Sequence, residues 1–262
     1  MSSYTPSKTL PEFLKKHKYI KGAHPCITHT RIPSKQHKVF GGAYYIDLKD
    51  ITTKDEFYDL YYKWVFENQQ DEYLTETQKQ NENELDNSES WGPILVDFDF
   101  RYPITVEEHQ HTDGHIMDMI ELYFEKIKVL HECVEGETID IYIMEKAKVN
   151  QKKEDAVTKD GLHMIIGLKM SHAGQLELRK RVVKEISNVW EDLPLTNSWD
   201  SVLDEGISTG KTNWQMFGSR KPGHQSYAIK NKFVGTFNTT NNCWDLERCN
   251  SKYNMKELLS VL

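Results

Sequence analysis

The 262-residue chain has no run approaching the ~18 consecutive apolar residues that a membrane-spanning helix needs, and its opening MSSYTPSKTLPEFLKKHKY has no apolar signal-peptide core. Both absences point to an intracellular protein. Cysteine is scarce as well. Cys26, Cys133, Cys243 and Cys249 are too few for a disulfide framework in a chain of this length, which fits a reducing compartment. Only Cys243 and Cys249 are close in sequence, and CWDLERC lacks the C-x₂-C spacing of a zinc pair, so no structural zinc is expected and the four read as free thiols. A phosphate-binding P-loop is missing too. GISTGKT imitates one, but Gly206 and Gly210 are separated by one residue fewer than the motif requires, and TNWQMF follows where a helix should start.

What is present is a globular composition, 38% hydrophobic, of a length that suits one large domain or two small ones. The formal charge of -7 is unevenly distributed. Residues 66–90 carry eight acids against the single Lys79, whereas residues 1–41 carry eight lysines or arginines against Glu12 alone. Basic surfaces for a polyanion therefore coexist with an acidic total, although scattered solvated lysines give the same composition. The polar stretch NQQDEYLTETQKQNENELDNSESWGP reads as an acidic linker, dividing the chain into an N-terminal α/β module over 1–90 and a second module over 91–262. In the first, VFGGAYYID predicts a strand, and DEFYDLYYKWVFEN places Phe57, Leu60, Tyr61, Trp64 and Val65 at helical spacing.

The second module predicts a strand over Ile94 to Phe100 and a helix carrying Ile116, Met119, Ile120, Phe124 and Ile127. Two strands follow (TIDIYIMEK and GLHMIIGL), then a helix from about Ala173, then a last strand between Trp214 and Ile229. The order β-α-β-β-α-β is the split βαβ of ferredoxin-like and RNA-recognition-motif (RRM-like) folds, an α+β class in which the first and third strands are neighbours at the sheet centre.

The first of these strands, PILVDFDFR, carries two acids in an otherwise apolar run. Side chains alternate along a strand, so Asp97 and Asp99 share the open face while Val96, Phe98 and Phe100 face the helices. Adjacent like charges are costly unless a cation compensates them, and Mg²⁺ or Mn²⁺ prefers such hard oxygen ligands. Two solvated acids on an exposed face are the bland alternative. On the neighbouring strand, KDGLH places His163 beside the pair and Lys159 at the same end. A lone histidine is often only structural, but this placement favours function. Asp204 stands where it could close a metal site, and GSRKPG offers Ser219, Arg220 and Lys221 as a grip on phosphates. Three carboxylates, a histidine and a basic grip suggest two-metal phosphoryl chemistry.

DFDF, KDGLH and the segment from Asp204 to Lys221 together resemble the three motifs of the archaeo-eukaryotic primase (AEP) superfamily, most closely the primase-polymerase domain of primase-helicases from large DNA viruses of eukaryotes. The likeness covers residues 91–230 in order and spacing, and THTRI, GGAYYI and YLTETQ extend it into the N-terminal module. The resemblance implies an AEP primase fold and DNA-dependent synthesis or extension of primers on single-stranded DNA from NTPs or dNTPs. It implies that Asp97, Asp99 and Asp204 ligate two Mg²⁺ or Mn²⁺ ions and that His163 contacts the phosphates of the incoming nucleotide. Lys159 and Lys221 match positions near the triphosphate, and Ser219 lies in the same phosphate-contacting turn. Gly161 stands where many relatives carry the serine of a Ser-x-His motif, and Gln215 where some carry an arginine. It further implies a helicase domain C-terminal in the parent chain and work at viral replication sites in host cytoplasm or nucleus. Arg31, Lys35 and Lys38 are candidates for following the template backbone. Two other function classes stay open: a catalytically silent single-strand-binding RRM-like module, which needs exposed aromatics on the sheet, and a metal-dependent nuclease using the same carboxylates.

Overall fold

A computed structural model of the chain describes residues 6–78, 91–249 and 258–259. In chain order the elements are α1 (Leu10–Lys16), β1 (His29–Arg31), β2 (Gly42–Tyr44), α2 (Ile51–Tyr62), β3 (Leu74–Glu76), β4 (Trp91–Pro103), α3 (Asp113–Leu130), β5 (Thr138–Glu145) and β6 (Asn150–Lys152). They continue with β7 (Val157–Ser171), α4 (His172–Val183), α5 (Ser187–Trp190), α6 (Trp199–Val202), α7 (Glu205–Ser208), β8 (Trp214–Gln215), β9 (Ala228–Asn238) and β10 (Cys243–Cys249). Two compact units result: Met1–Asn87 with Thr212–Tyr227 and Ser251–Leu262, and Ser88–Lys211 with Ala228–Asn250. Among the described residues no helix is long and apolar enough to cross a membrane.

The first unit is an antiparallel sheet of order β2-β1-β3-β8 with α1 and α2. Helix α2 begins where the Asp50 carboxylate accepts from the Thr53 amide at 3.0 Å, an N-cap that satisfies an otherwise unpaired donor. Its expected apolar face is present in the buried Phe57, Leu60 and Tyr61, and the helix runs on into a wider π turn over Lys63–Glu67. Two expectations are corrected here. The stretch expected as a linker supplies β3, with Tyr73 and Leu74 buried; residues 79–90 of it lie outside the described residues. Residues 212–227, expected in the second module, belong to the first unit because Gln215 and Trp214 pair with Thr75 and Glu76 of β3. Within this unit burial pushes the His29 imidazole down to about 3, so it stays neutral throughout the physiological range.

The second unit carries a sheet of order β10-β9-β5-β7-β4, with β6 paired to β7. On β4 the alternation is as expected: Val96, Phe98, Phe100 and Tyr102 are buried, while Asp99 and Arg101 are exposed. Against that inner face lie Ile116, Met119, Ile120, Tyr123, Phe124 and Ile127 of α3 and Leu178, Val182, Ile186 and Trp190 downstream, all in one apolar core. A capping box starts α3: the Thr112 hydroxyl accepts from the His115 amide, and the Thr112 amide donates to His115 Nδ1. First and third strands, β4 and β7, are antiparallel neighbours as expected. The final strand is corrected. It is β9, not the Trp214 region, and it pairs with β5, which leaves β4 at the edge of the sheet rather than at its centre. Cys243 and Cys249 are free and sit at opposite ends of β10.

Candidate active site

The register of β4 against β7 sets one face of the sheet in the second unit. Asp97 is opposite His163, Asp99 opposite Gly161, and Arg101 opposite Lys159. Residues of matching parity project to the same side, so both aspartates, the histidine and two cations share that face. His163 Nε2 lies 3.4 Å from Asp97 Oδ1, and the imidazole is only 8% exposed. Gly161 places no side chain across from Asp99.

Because β4 is an edge strand, its outward backbone groups need partners, and the chain over 196–204 supplies them. The Thr196 amide donates to the Arg101 carbonyl at 2.8 Å. Asn197 acts as a surrogate strand residue: its Nδ2 donates to the Asp99 carbonyl at 2.9 Å and its Oδ1 accepts from the Arg101 amide at 3.0 Å. Phe98 and Leu203 form a β-bridge, and the Asp204 amide donates to the Asp97 carbonyl at 3.0 Å. The return is fastened from α4 by buried Arg179, whose guanidinium donates to the Leu203 carbonyl at 2.7 and 3.0 Å and to the Asp200 carbonyl at 2.9 Å.

An acid more than a hundred positions downstream is thereby brought to the backbone of the DFD strand. The Asp204 side chain accepts from the Gly206 amide at 2.8 Å, which caps the short α7. The oxygens of Asp97, Asp99 and Asp204 do not gather as a trio within 4.8 Å of one another; like charges stand apart, and one Asp204 oxygen is held by its cap. As a donor set they are hard carboxylate oxygens on adjoining backbone, which fits Mg²⁺ or Mn²⁺.

In the first unit the predicted residues divide differently. Lys35, Lys38 and Lys221 are exposed. Arg31 is engaged in a two-pronged pair with Glu72, at 2.8 and 3.2 Å. Glu72 is 1% exposed; burial pushes its carboxyl up and the Arg31 guanidinium partly opposes this. Arg31 is thus a structural countercharge, not a free backbone contact. Arg220 is paired with Asp71, and its amide donates to the Glu72 carbonyl at 3.0 Å. Ser219 is the clearest correction. It is wholly buried, with its hydroxyl 2.8 Å from the Tyr61 hydroxyl and accepting from the Leu74 amide at 3.2 Å. Such a hydroxyl ties α2 to β3 and is not presented to a phosphate.

Sequence reasoning missed Asn197 and Arg179. Nothing in LTNSWD distinguishes Asn197, but Arg179 had a signal: it falls on the buried side of α4, three residues before Val182, where an arginine needs partners.

A curated protein of Acanthamoeba polyphaga mimivirus, named "Putative helicase L207/L206", is 31% identical over 134 residues, half of this chain. The match covers about 14% of that relative's length. The family model described as "C962R protein N-terminal AEP domain" matches residues 28–233, a span that takes in the DFD strand, KDGLH and Asp204 together. The chain, itself mixed α+β with antiparallel sheets, therefore belongs to the family of C962R-type N-terminal AEP domains.

Proposed function

We propose that the chain is a DNA-dependent primase-polymerase domain that makes or extends primers on single-stranded DNA from NTPs or dNTPs, as the N-terminal part of a viral primase-helicase. The observation that carries this reading is the hydrogen bond from the Asp204 amide to the Asp97 carbonyl, on a strand whose Asp97 and Asp99 share one face with His163. Asp97, Asp99 and Asp204 would hold two Mg²⁺ or Mn²⁺ ions. Bound there, the ions supply Lewis acidity to an attacking hydroxyl and neutralise triphosphate charge. The protein's own contribution is positional. The edge-strand bonds fix where the three acids stand, His163 donates toward phosphate from a fixed ring beside Asp97, and Lys159 adds positive charge at the same end. Lys221 as a triphosphate contact rests on the resemblance. Lys35 and Lys38 are proposed template contacts. The helicase name of the mimivirus relative supports a helicase C-terminal in the parent chain, working at viral replication sites in host cytoplasm or nucleus.

The test is nucleotide incorporation on a single-stranded template with Mg²⁺ or Mn²⁺, followed by product analysis. Lengthened strands with released pyrophosphate support synthesis. Shortened strands identify a nuclease, and salt-sensitive binding with no metal-dependent incorporation identifies a silent binding module.

Asn197→Ala separates positioning from folding. It removes two bonds at an exposed edge, costing about 1 kcal/mol and so only a few degrees of thermal midpoint. The metal concentration for half-maximal incorporation should rise several-fold, because the segment bearing Asp204 loses its register on β4. Unchanged metal dependence would mean that Asn197 does not position Asp204.

A further inference from the structure

The other face of β7 carries a second cluster that the proposed chemistry does not use. Asp160 lies between Lys159 and Gly161 and therefore points to the opposite side, toward Phe100 of β4. The chain after β4 folds back over it, fastened by the Thr158 hydroxyl donating to the Val106 carbonyl at 2.8 Å. This brings in two histidines of the run HQH. His109 Nδ1 lies 2.9 Å from Asp160 Oδ2, and His111 Nδ1 lies 3.6 Å from the same oxygen. One ligand atom from each of the three residues lies within 4.8 Å of the other two. The side chains of Asp160 and His111 are each 1% exposed.

His111 Nε2 is 3.1 Å from Glu145 Oε2, a carboxylate also held by Lys230 at 2.8 Å. His111 Nδ1 faces the Asp160 carboxylate and is wholly buried with no hydrogen bond. A buried polar atom left without a hydrogen bond is costly, and a cation between this nitrogen and the Asp160 oxygen supplies the missing partner. The separations are also suitable. Ligand atoms on a tetrahedral ion with bonds of ~2.0–2.1 Å sit roughly 3.3 Å apart, and the two spacings straddle that value. A carboxylate behind a ligating histidine is the usual outer support of such a ligand. Two imidazoles with one carboxylate favour a borderline ion such as Zn²⁺ over Mg²⁺.

We propose that His109, His111 and Asp160, with a water as the fourth ligand, form a zinc site that pins residues 104–112 to the back of β7, with Glu145 orienting His111. The expectation of no structural zinc rested on the cysteines, and this site uses none of them. Its burial leaves no access for a polymer, so its role is to hold the strand whose other face presents Lys159 and His163.

The test uses the full chain, stripped with a chelator and titrated with Zn²⁺ against a chromophoric competitor. Co²⁺ replacement then reports coordination by its visible d–d bands. Expected are one Zn²⁺ per chain, four-coordinate Co²⁺ bands, uptake unchanged in Asp97→Ala/Asp99→Ala and lost in His111→Gln. Glu145→Gln should weaken uptake about 10–100-fold. Should His111→Gln fail to fold, His109→Gln, at a more exposed ligand, carries the same expectation. Absence of stoichiometric uptake by the wild type would overturn the proposal and leave a doubly protonated His111 between Glu145 and Asp160. Uptake that survives both histidine variants but disappears in Cys133→Ser would also overturn it, moving the ion to the His131, Cys133 and Glu137 group.

Discussion

Replacing Asp97 and Asp99 together by alanine is expected to reduce nucleotide incorporation on the order of 10³-fold or more, while the thermal midpoint stays within a few degrees of wild type or rises. The two effects separate because the acids sit on the outer face of β4, where Asp99 is exposed and the Asp97 side chain is 21% exposed, whereas the strand is held by its inner face. Removing both neighbouring like charges relieves their repulsion in the folded state, which offsets the lost contact with His163. Asp204→Asn is the companion variant. Asparagine caps a helix as well as aspartate does, so α7 and the bond to the Asp97 carbonyl should persist while the charge is lost, with a comparable fall in incorporation. The measurement is incorporation and thermal unfolding on the same preparations. Full activity in the double variant would remove Asp97 and Asp99 from the mechanism.

The second large effect is on stability. Trp190 is 1% exposed, and its ring meets Phe98 and Phe100 edge-on at centroid distances of 4.5 and 4.8 Å. Both phenylalanines alternate with the site aspartates on β4, so this indole fills the space directly behind the candidate site. Trp190→Ala should cost about 3–5 kcal/mol through lost burial and the remaining cavity, a midpoint fall on the order of 10 °C. Trp190→Phe should cost much less, since the indole N–H is buried without a hydrogen bond and its loss leaves nothing unpaired. Equilibrium unfolding in urea gives both values. A loss under about 1 kcal/mol for the alanine variant would contradict the packing of α5 on β4.

How much of this could be read from the sequence follows from how local each feature is. The two-residue period of VDFDF and the three-to-four spacing of Ile116 to Ile127 are local, and both elements form as expected. The placement of Asp97 beside His163 needed only the pairing of first and third strands. β3 was hidden because a three-residue strand between QQDE and TQ is polar in composition; only Tyr73 and Leu74 reveal its burial. The membership of residues 212–227 in the first unit depends on pairing between β8 and β3, over a hundred positions apart. Ser219 was misread because a glycine-flanked turn looks exposed, whereas the Tyr61 hydroxyl holds it in a core. The approach of Asp204 to Asp97 was anticipated as chemistry, but its cause was not: Asn197 copying a strand backbone and Arg179 gripping two carbonyls are tertiary devices that leave almost no pattern in sequence.

The central claim is that Asp97, Asp99 and Asp204 form one cradle for divalent ions. Its most direct test is a crystal of the chain soaked with Mn²⁺ and a non-hydrolysable nucleoside triphosphate, read by the anomalous signal of manganese. The account predicts manganese peaks bound by oxygens of all three aspartates, with the triphosphate reaching toward His163 and Lys159. Manganese held by Asp97 and Asp99 while Asp204 remains apart, or no peak at the DFD strand, would contradict it.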